Sequence, residues 1–273
     1  MGRYQEITTN IPWNYLGRET TASLLGKSIV PIGILPFQPK PIENDKMPAI
    51  SMREKGAEQY LMNIVGTAIQ AGDGKLVTCG HVVEAILGQN AKGYILSRIF
   101  RDGTIEYVPY PIVKALRYVD PRTDAVNTDV DLSILLVPAK STERIPYETP
   151  SVSWGDSSEL GVGDRILICG YPHGTEMFNF TQSNRGIIQP TFYQGVVSAI
   201  LPATKPYETR IIQVSVPSAG GMSGGAMFDP DTGKVMGMIT SCVHTNGIPQ
   251  PMSYAIPSEI IAPYVEVVTF KTE

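Results

Sequence analysis

The stretch PSAGGMSGGAMFDPDTGKVMGMITS at residues 217–241 decides the fold, because it places a serine in a glycine-rich loop directly before a β-hairpin. Glycines on both sides of Ser223 allow backbone conformations that other residues avoid. They also let a carbonyl group approach main-chain N–H groups closely. The N–H groups of Gly221 and Ser223 are predicted to face a developing oxyanion, and one such donor contributes roughly 3–4 kcal/mol.

Two other segments offer what a reactive serine needs, namely a base and a carboxylate that orients the base. In GTAIQAGDGKLVTCGHVVEAI at residues 66–86, a predicted strand ends at His81, at a strand-to-helix corner. In TDVDLSILLVP at residues 128–138, Asp131 opens an apolar strand. Asp129 is the alternative acid, because residues two apart point to the same side of a strand. The three groups act together only if the fold brings them to one cleft.

The remaining chain is predicted to be all-β. Its 273 residues include 26 Gly and 22 Pro, which are many turn formers for a helical protein. Apolar β-rich runs recur from residue 27 to residue 242, with Gly, Pro or Asp in most of the gaps. This pattern favours a sandwich or a barrel. Helix is predicted only over residues 81–87 and in a short segment after Pro257.

A polar stretch in the middle of the chain divides the predicted strands into two groups of similar size. We expect four parts: an irregular N-terminal extension at residues 1–26, a first β unit at 27–140 with a Pro-rich and charged excursion at 36–58, an interdomain connection at 141–157, and a second β unit with the C-terminal helix at 158–273. A chain of this length buries roughly three quarters of its unfolded surface, so it needs no disulfide or metal to fold.

Charge and apolar patterning exclude several function classes. The net charge of −4 argues against a generic nucleic-acid binder, which would be basic. The longest uncharged apolar stretch, Ile29 to Phe37, is too short to span a bilayer, so no membrane contact is predicted. The opening MGRYQEITTN is no signal peptide, and the three cysteines form no metal-type pair. We therefore expect a cytoplasmic protein with no metal or organic cofactor.

The motifs GxAxxxxDGxLVTCGHVV, DVDLSILLV, GxGDRILICGYP, QGVVSAI, GGMSGGAMFD and SYAIPSEII together resemble a trypsin-like serine protease. They look most like the HtrA-type branch of the chymotrypsin clan. The resemblance covers residues 27–35 and 60–265. It implies a chymotrypsin-like fold of two six-stranded antiparallel β-barrels, with the active site between them and a short C-terminal helix.

The resemblance also implies roles for individual residues. Catalytic roles fall to His81 as general base, Asp131 as orienting acid and Ser223 as nucleophile, with the N–H groups of Gly221 and Ser223 as the oxyanion hole. Substrate-binding roles fall to Thr240, Ser241 and Cys242 on an edge strand that pairs with substrate backbone, and to Pro217 near the base of the primary specificity pocket. Nothing there is charged, so no strong preference for Lys or Arg is expected.

Two features of the sequence differ from the families that it resembles. Met222 stands where digestive members have Asp and HtrA-type members usually have Asn, and a Met cannot form the buried ion pair with a new N-terminus that activates digestive zymogens. The PDZ domain usual in HtrA-type proteins is not expected either, because only residues 257–273 follow Ile256.

The leading hypothesis is a serine endopeptidase that acts on a protein or peptide through an acyl-enzyme. One alternative is an esterase, because residues 221–225 also match GxSxG, the nucleophile elbow of α/β-hydrolases. That fold needs the order serine, acid, histidine, and only His244 follows Ser223. Another alternative is a catalytically silent protease fold that serves as a binder or scaffold.

Overall fold

The structure is a computed structural model that describes residues 4–5, 7–9, 21–36, 51–54, 59–61, 63–88, 91–101, 104–120, 124–141, 146–172, 189–202, 209–245 and 248–268. Most of the predicted excursion at residues 36–58 lies outside these ranges. Within them the chain is mostly β-structure, as the turn-rich sequence predicts.

The first half of the chain builds one curled, antiparallel, eight-stranded sheet. Its strands are β2 (Ile7–Thr9), β3 (Ile29–Pro36), β6 (Asn63–Gly72), β7 (Lys75–Thr78), β8 (Ala91–Arg101), β9 (Thr104–Pro111), β10 (Lys114–Arg117) and β13 (Ser133–Leu136). They lie in the order β10-β13-β7-β6-β3-β8-β9-β2. The tight turn between β6 and β7 has positive φ at Gly72, Asp73 and Gly74, which explains why the sequence reads GDG there.

The second half builds a closed six-stranded barrel. Its strands are β14 (Arg165–Gly170), β15 (Thr191–Leu201), β16 (Ile211–Val214), β17 (Ala226–Phe228), β18 (Val235–Thr245) and β19 (Ile248–Pro257). They close in the order β14-β15-β16-β19-β18-β17. The glycine-rich loop predicted from the sequence lies between β16 and β17, so the closed barrel holds both of its ends.

Smaller elements come from the N-terminal extension and the connecting segments. Two short strands, β1 (Tyr4–Gln5) and β4 (Ser51–Glu54), form a small sheet with β5 (Gln59–Leu61), and β11 (Val119–Asp120) pairs with β12 (Ala125–Val126). Helix α1 spans Thr21–Leu25. The extension is therefore not wholly irregular, because β2 satisfies its backbone hydrogen bonds on the edge of β9.

Two further helices agree with the sequence prediction. Helix α2 (Gly80–Gly88) follows β7 directly, and helix α3 (Ser258–Val267) begins after Pro257. Helix α3 packs back on the first half of the chain: the Tyr264 hydroxyl donates to the Arg117 carbonyl at 2.5 Å, and Lys75 Nζ donates to the Val265 carbonyl at 3.0 Å. A lysine that binds the last carbonyls of a helix also interacts favourably with the helix dipole.

The buried side chains form two clusters. The larger cluster spans both halves, since it joins the first sheet to Phe228 and Met238 of the barrel and to Ile261 of α3. The smaller cluster lies inside the barrel and includes Met222 and Met227. The two halves therefore share a continuous apolar core.

The fold prediction is confirmed in part. The chain is mostly β, one closed six-stranded barrel is present, and the short C-terminal helix is confirmed. The second predicted closed barrel is not found within the described ranges, because the first sheet has β10 at one edge and β2 at the other, and these two strands do not pair with each other.

Candidate active site

His81 lies at the first turn of α2, where the chain leaves β7. Its backbone N–H donates to Asp131 Oδ1 at 2.8 Å, and its Nδ1 lies 2.7 Å from Asp131 Oδ2. A Cβ on the preceding Gly80 would lie 1.7 Å from the Arg117 guanidinium, so the end of the Arg117 side chain packs directly against this turn. About half of the His81 side chain is exposed, 48%, so the ring can contact a ligand in the cleft.

Strand pairing brings Asp131 to His81. Strand β13 pairs with β7 so that Ser133 lies opposite Thr78. His81 and Asp131 lie just beyond this pair, at the same end of the two strands. The Asp131 carboxylate accepts two hydrogen bonds from His81 and a third from Thr240 Oγ1 at 2.5 Å. Burial raises the pKa of the Asp131 carboxyl, but the hydrogen bonds from His81 and Thr240 outweigh this effect, so its pKa lies below the usual value.

Within the described residues, His81 has its ion pair with Asp131 and not with the alternative acid, Asp129. Its side chain is exposed, and its backbone N–H donates to Asn127 Oδ1 at 3.0 Å. Of the two candidate carboxylates, Asp131 is the one that the structure places against His81.

Ser223 lies in the loop between β16 and β17, and Thr240 connects it to the carboxylate. The Ser223 hydroxyl donates to the Thr240 carbonyl at 3.3 Å, while the Thr240 hydroxyl donates to Asp131. Because Asp131 in turn contacts His81, a chain of contacts through Thr240 and Asp131 links Ser223 to His81. The loop meets the first sheet closely, since a Cβ on Gly224 (φ +89°) would lie 1.9 Å from the Thr67 carbonyl.

The main chain of the loop has a defined conformation. The N–H of Met222 donates to the Ala219 carbonyl at 3.0 Å, which closes a turn with φ +91° at Gly221. The N–H of Gly225 donates to the Met222 carbonyl at 2.8 Å. Within the described residues, the N–H groups of Gly221 and Ser223 have no main-chain acceptor, so they are free to bind a ligand.

Met222 points away from the cleft and into the barrel. Its side chain is fully buried among the apolar residues of the smaller core cluster. Its sulfur packs so closely on β14 that a Cβ on Gly170 would lie 2.9 Å from it. The loop is thus anchored by an apolar side chain at the position where digestive proteases are expected to carry an aspartate.

The predicted substrate-binding residues lie on or near β18. Strand β17 pairs only with the start of β18, Val235–Met238, whereas β19 pairs with β18 through Cys242 and beyond. The β17-facing edge of β18 from Thr240 to Cys242 is therefore without a strand partner in the described ranges. Ser241 is exposed at this edge, and Pro217 is exposed in the segment that leads to the loop.

A groove of about 490 Å³ adjoins Thr240 and Ser241 of β18. It is lined by Ser241, Tyr254 and Leu201, with Asp129 among the lining residues and with Asp131 and Thr240 at its active-site end. Leu201, Ile211 and Tyr254 in this lining belong to β15, β16 and β19, which lie on the other side of β18 from the β17-facing edge.

Sequence reasoning missed three residues around the site. It assigned Thr240 only to substrate pairing, but the side chain of Thr240 also binds Asp131. It assigned nothing to Thr67, which contacts the serine loop from the first sheet. It assigned no role at the site to Cys79, whose thiol donates to the Ile239 carbonyl. In all three cases the partner lies far along the chain, so local sequence patterns carry no signal.

Cys79, His81 and Asp131 place three potential metal-ligand atoms within 4.8 Å of one another. Burial and the nearby Asp131 charge raise the pKa of the Cys79 thiol well above its usual value, and the thiol donates to the Ile239 carbonyl at 3.3 Å. A protonated, hydrogen-bonded thiol is a poor metal ligand, because binding requires the thiolate. This cluster therefore fits a hydrogen-bonded network better than a metal site.

A family model described as the trypsin-like peptidase domain matches residues 66–238. The chain belongs to the trypsin-like peptidase family. Within this family it is similar to the serine protease Do-like HtrB of Bacillus subtilis, with 25% identity over 51% of this chain and 28% of that protein. It is also similar to a probable periplasmic serine endoprotease DegP-like of Bartonella henselae, with 30% identity over 69% of this chain and 30% of that protein. This trypsin-like peptidase thus spans less than a third of either relative's length.

The solved structures agree with the fold of a trypsin-like peptidase. The HtrA-type protease AlgW with decapeptide superposes with a TM-score of 0.58 at 19% identity, over 91% of this chain and 67% of that one. The sequence similarity to the HtrB and DegP-like relatives confirms the predicted resemblance to the HtrA-type branch.

The comparisons do not support the predicted cytoplasmic location, because several relatives, including the one from Bartonella henselae, are named as periplasmic proteins. Among the described helices of this trypsin-like peptidase, none has the length and apolar character needed to cross a membrane.

Proposed function

We propose that the chain is a serine endopeptidase that hydrolyses peptide bonds in proteins or peptides through an acyl-enzyme. The observation that carries the proposal is the chain of contacts from His81 to Asp131, from Asp131 to Thr240 and from Thr240 to Ser223, in a chain of the trypsin-like peptidase family. His81, Asp131 and Ser223 come from different segments, and a shared site for all three is the arrangement that nucleophilic catalysis by serine requires.

In the proposed mechanism, Ser223 Oγ attacks the carbonyl carbon of the scissile peptide and His81 accepts the hydroxyl proton. Asp131 accepts a hydrogen bond from His81 Nδ1, which fixes the tautomer of the ring and stabilises the imidazolium that forms. Because the pKa of Asp131 is lowered, this carboxylate stays ionised at neutral pH and keeps that role. His81 then gives the proton to the leaving amine, and water hydrolyses the ester.

The main chain of the serine loop would stabilise the tetrahedral intermediate. The N–H groups of Gly221 and Ser223 have no main-chain acceptor within the described residues, so they are available to bind the oxyanion. The Met222 carbonyl is already bonded to Gly225. In a trans peptide the N–H of Ser223 points away from that carbonyl, which holds this donor in a fixed direction.

The substrate would bind as an added strand along the free edge of β18. Thr240, Ser241 and Cys242 lie on this edge, where their main chain has no partner on the β17 side in the described ranges. Addition of a strand to an exposed sheet edge is a common way to hold an extended peptide. Pro217 is assigned to the primary specificity pocket by resemblance alone.

In the proposed division of the chain into domains, each of the two β units contributes a different part of the active site. The first unit, residues 27–140, contributes His81 and Asp131, and the second unit, residues 158–273, contributes Ser223 and the substrate edge. Residues 141–157 connect the two units, and residues 1–26 extend the first. The mechanism uses no metal or organic cofactor, because all proton transfers fall to side chains.

The test compares the purified chain with its Ser223→Ala variant on a peptide library and with a fluorophosphonate probe. We expect cleavage and single-site labelling for the unchanged chain, and a loss of turnover by several powers of ten for the variant. Unchanged cleavage by Ser223→Ala refutes the assignment. A folded chain that is neither cleaving nor labelled supports the alternative of a silent scaffold, and hydrolysis of esters without peptides supports the esterase alternative.

A further inference from the structure

Thr67 makes four hydrogen bonds while its side chain is fully buried on β6. Its hydroxyl donates to the Gly221 carbonyl at 2.7 Å and accepts from the Tyr171 N–H at 3.0 Å. Its own N–H donates to the Ser223 carbonyl at 2.9 Å, and its carbonyl accepts from the Thr78 hydroxyl at 2.7 Å. One residue of the first sheet thus holds two carbonyls of the serine loop.

These two contacts lie on either side of a proposed oxyanion donor. The carbonyls of Gly221 and Ser223 belong to the first and third of three consecutive peptide units, and the N–H of Ser223 belongs to the unit between them. Each peptide unit is planar, so fixing its two neighbours leaves the middle unit little rotation. Moreover, the turn that carries the Gly221 N–H ends at the peptide unit that the Thr67 hydroxyl holds.

We propose that Thr67 is a positioning residue for catalysis, which aims the N–H groups of Gly221 and Ser223 at the oxyanion from the first half of the molecule. The proposal rests on the proposed function. It does not follow from the fold alone, because the hydroxyl contact needs Ser or Thr at this position, whereas strand β6 accepts any β-forming residue. A merely structural Thr67 would affect stability, but it would not affect transition-state binding more than ground-state binding.

The experiment compares Thr67→Val, which keeps the shape but removes the hydroxyl, with Thr67→Ser, which restores it. The matched control is Thr78→Val. It removes another fully buried threonine hydroxyl with a 2.7 Å bond to a carbonyl, but that carbonyl belongs to Thr67 and not to the loop. All three variants are assayed for kcat and KM on one peptide and for inhibition by a peptide aldehyde, which forms an oxyanion on the serine.

For Thr67→Val we expect kcat to fall about 10- to 100-fold, somewhat less than loss of a whole oxyanion donor, with KM changed less than about threefold. Aldehyde affinity should fall in parallel with kcat/KM. Thr67→Ser should recover most of the activity, and Thr78→Val should lose thermal stability while kcat stays within about threefold. An unchanged kcat in Thr67→Val, or an equal loss of kcat in Thr78→Val, overturns the proposal.

Amide hydrogen exchange separates this proposal from the proposed function. Thr67→Val should speed exchange of the bonded loop amides of Met222 and Gly225, whereas Thr78→Val should leave them protected. If the unchanged chain neither cleaves nor labels, the proposed function fails, and equal protection in Thr67→Val and the unchanged chain then rejects the positioning role too. Should Thr67→Val fail to fold, Thr67→Ala and Thr67→Ser are compared by the same two measurements.

Discussion

The two halves of the molecule contribute to the candidate site in different ways. The first sheet contributes side chains at strand ends: His81 after β7 and Asp131 before β13. The closed barrel contributes main chain, namely a glycine-rich loop and the free edge of β18, with Ser223 as its reactive side chain. Side chains can adjust by rotation about their own bonds, but main-chain donors move only with the chain. The main chain of the barrel loop therefore needs contacts that hold it in place. The buried side chain of Met222 and the hydrogen bond from Thr67 provide such contacts.

The largest effect should come from removing one side chain of each half. His81→Ala and Ser223→Ala should each lower kcat by about 10⁴- to 10⁶-fold, and the double variant should lose hardly more than either single one. The reason is that the two groups act as one unit in the proposed mechanism. Single-turnover assays of the three variants measure this directly. A double variant whose loss equals the product of the single losses would show that the halves act independently.

The next largest effect should come from disturbing the contact between Gly224 of the barrel loop and Thr67 of the first sheet. Gly224→Ala should lower the free energy of unfolding by about 2–4 kcal/mol and activity by at least about 100-fold. Its added Cβ would meet the Thr67 carbonyl at 1.9 Å in a left-handed conformation. Gly220→Ala is the control in the same loop, because a Cβ there meets nothing within 4 Å. Denaturant unfolding distinguishes the two variants, and equal stability would contradict the close contact.

A smaller effect should appear inside the barrel. Met222→Ala leaves a cavity among fully buried apolar residues and should cost about 2–4 kcal/mol in unfolding free energy. Met222→Leu keeps nearly the same volume and should cost less than about 1.5 kcal/mol. If Met222 anchors the loop, activity at low temperature should fall in the alanine variant but not in the leucine variant. Thermal unfolding and initial rates at one temperature provide the comparison.

The smallest effect should come from Thr240→Val, which removes one hydrogen bond from the Asp131 carboxylate. We expect kcat/KM to fall about 10-fold, as for a hydrogen bond to a charged group. The lowered pKa of Asp131 means that the ionised carboxylate stabilises the fold above about pH 4, and this contribution is lost as pH falls through the native pKa.

Without the Thr240 bond, the native pKa of Asp131 should rise toward the unfolded value, so the variant should lose this stabilisation at a higher pH than the unchanged chain. Unfolding free energies measured between pH 3 and pH 6 follow this loss, with Thr240→Ser as the control that keeps the hydroxyl. An identical acid profile for both chains would show that the bond does not contribute.

The sequence predicted the parts of the site that depend on local pattern. A strand that ends at His81 and an acid that opens a later apolar strand can be predicted from residues 66–86 and 128–138, and the pairing of β7 with β13 then brings them together. The glycines around Ser223 likewise indicated a loop with backbone conformations that favour glycine. In the structure, Gly221 and Gly224 have positive φ.

The parts that depend on contacts between distant segments were not predictable. Thr67 and Gly221 are 154 positions apart, and nothing near either residue signals a hydrogen bond between them. The family resemblance assigned Thr240 to substrate pairing, and only the packed fold shows its hydroxyl on Asp131. For the same reason the sequence did not predict that Ile7–Thr9 would extend the first sheet beyond six strands.

The return of α3 to the first half has a consequence for how the protein is made. Ribosomes build chains from the N-terminus, and domains generally fold in that order during synthesis. Tyr264 and the carbonyl that Lys75 binds at Val265 follow every strand of the barrel, so the first sheet lacks these contacts until all of those strands have been synthesised. A nascent chain therefore completes the packing of its first half only after its second half has been synthesised. Translation itself thus delays assembly of the proposed active site.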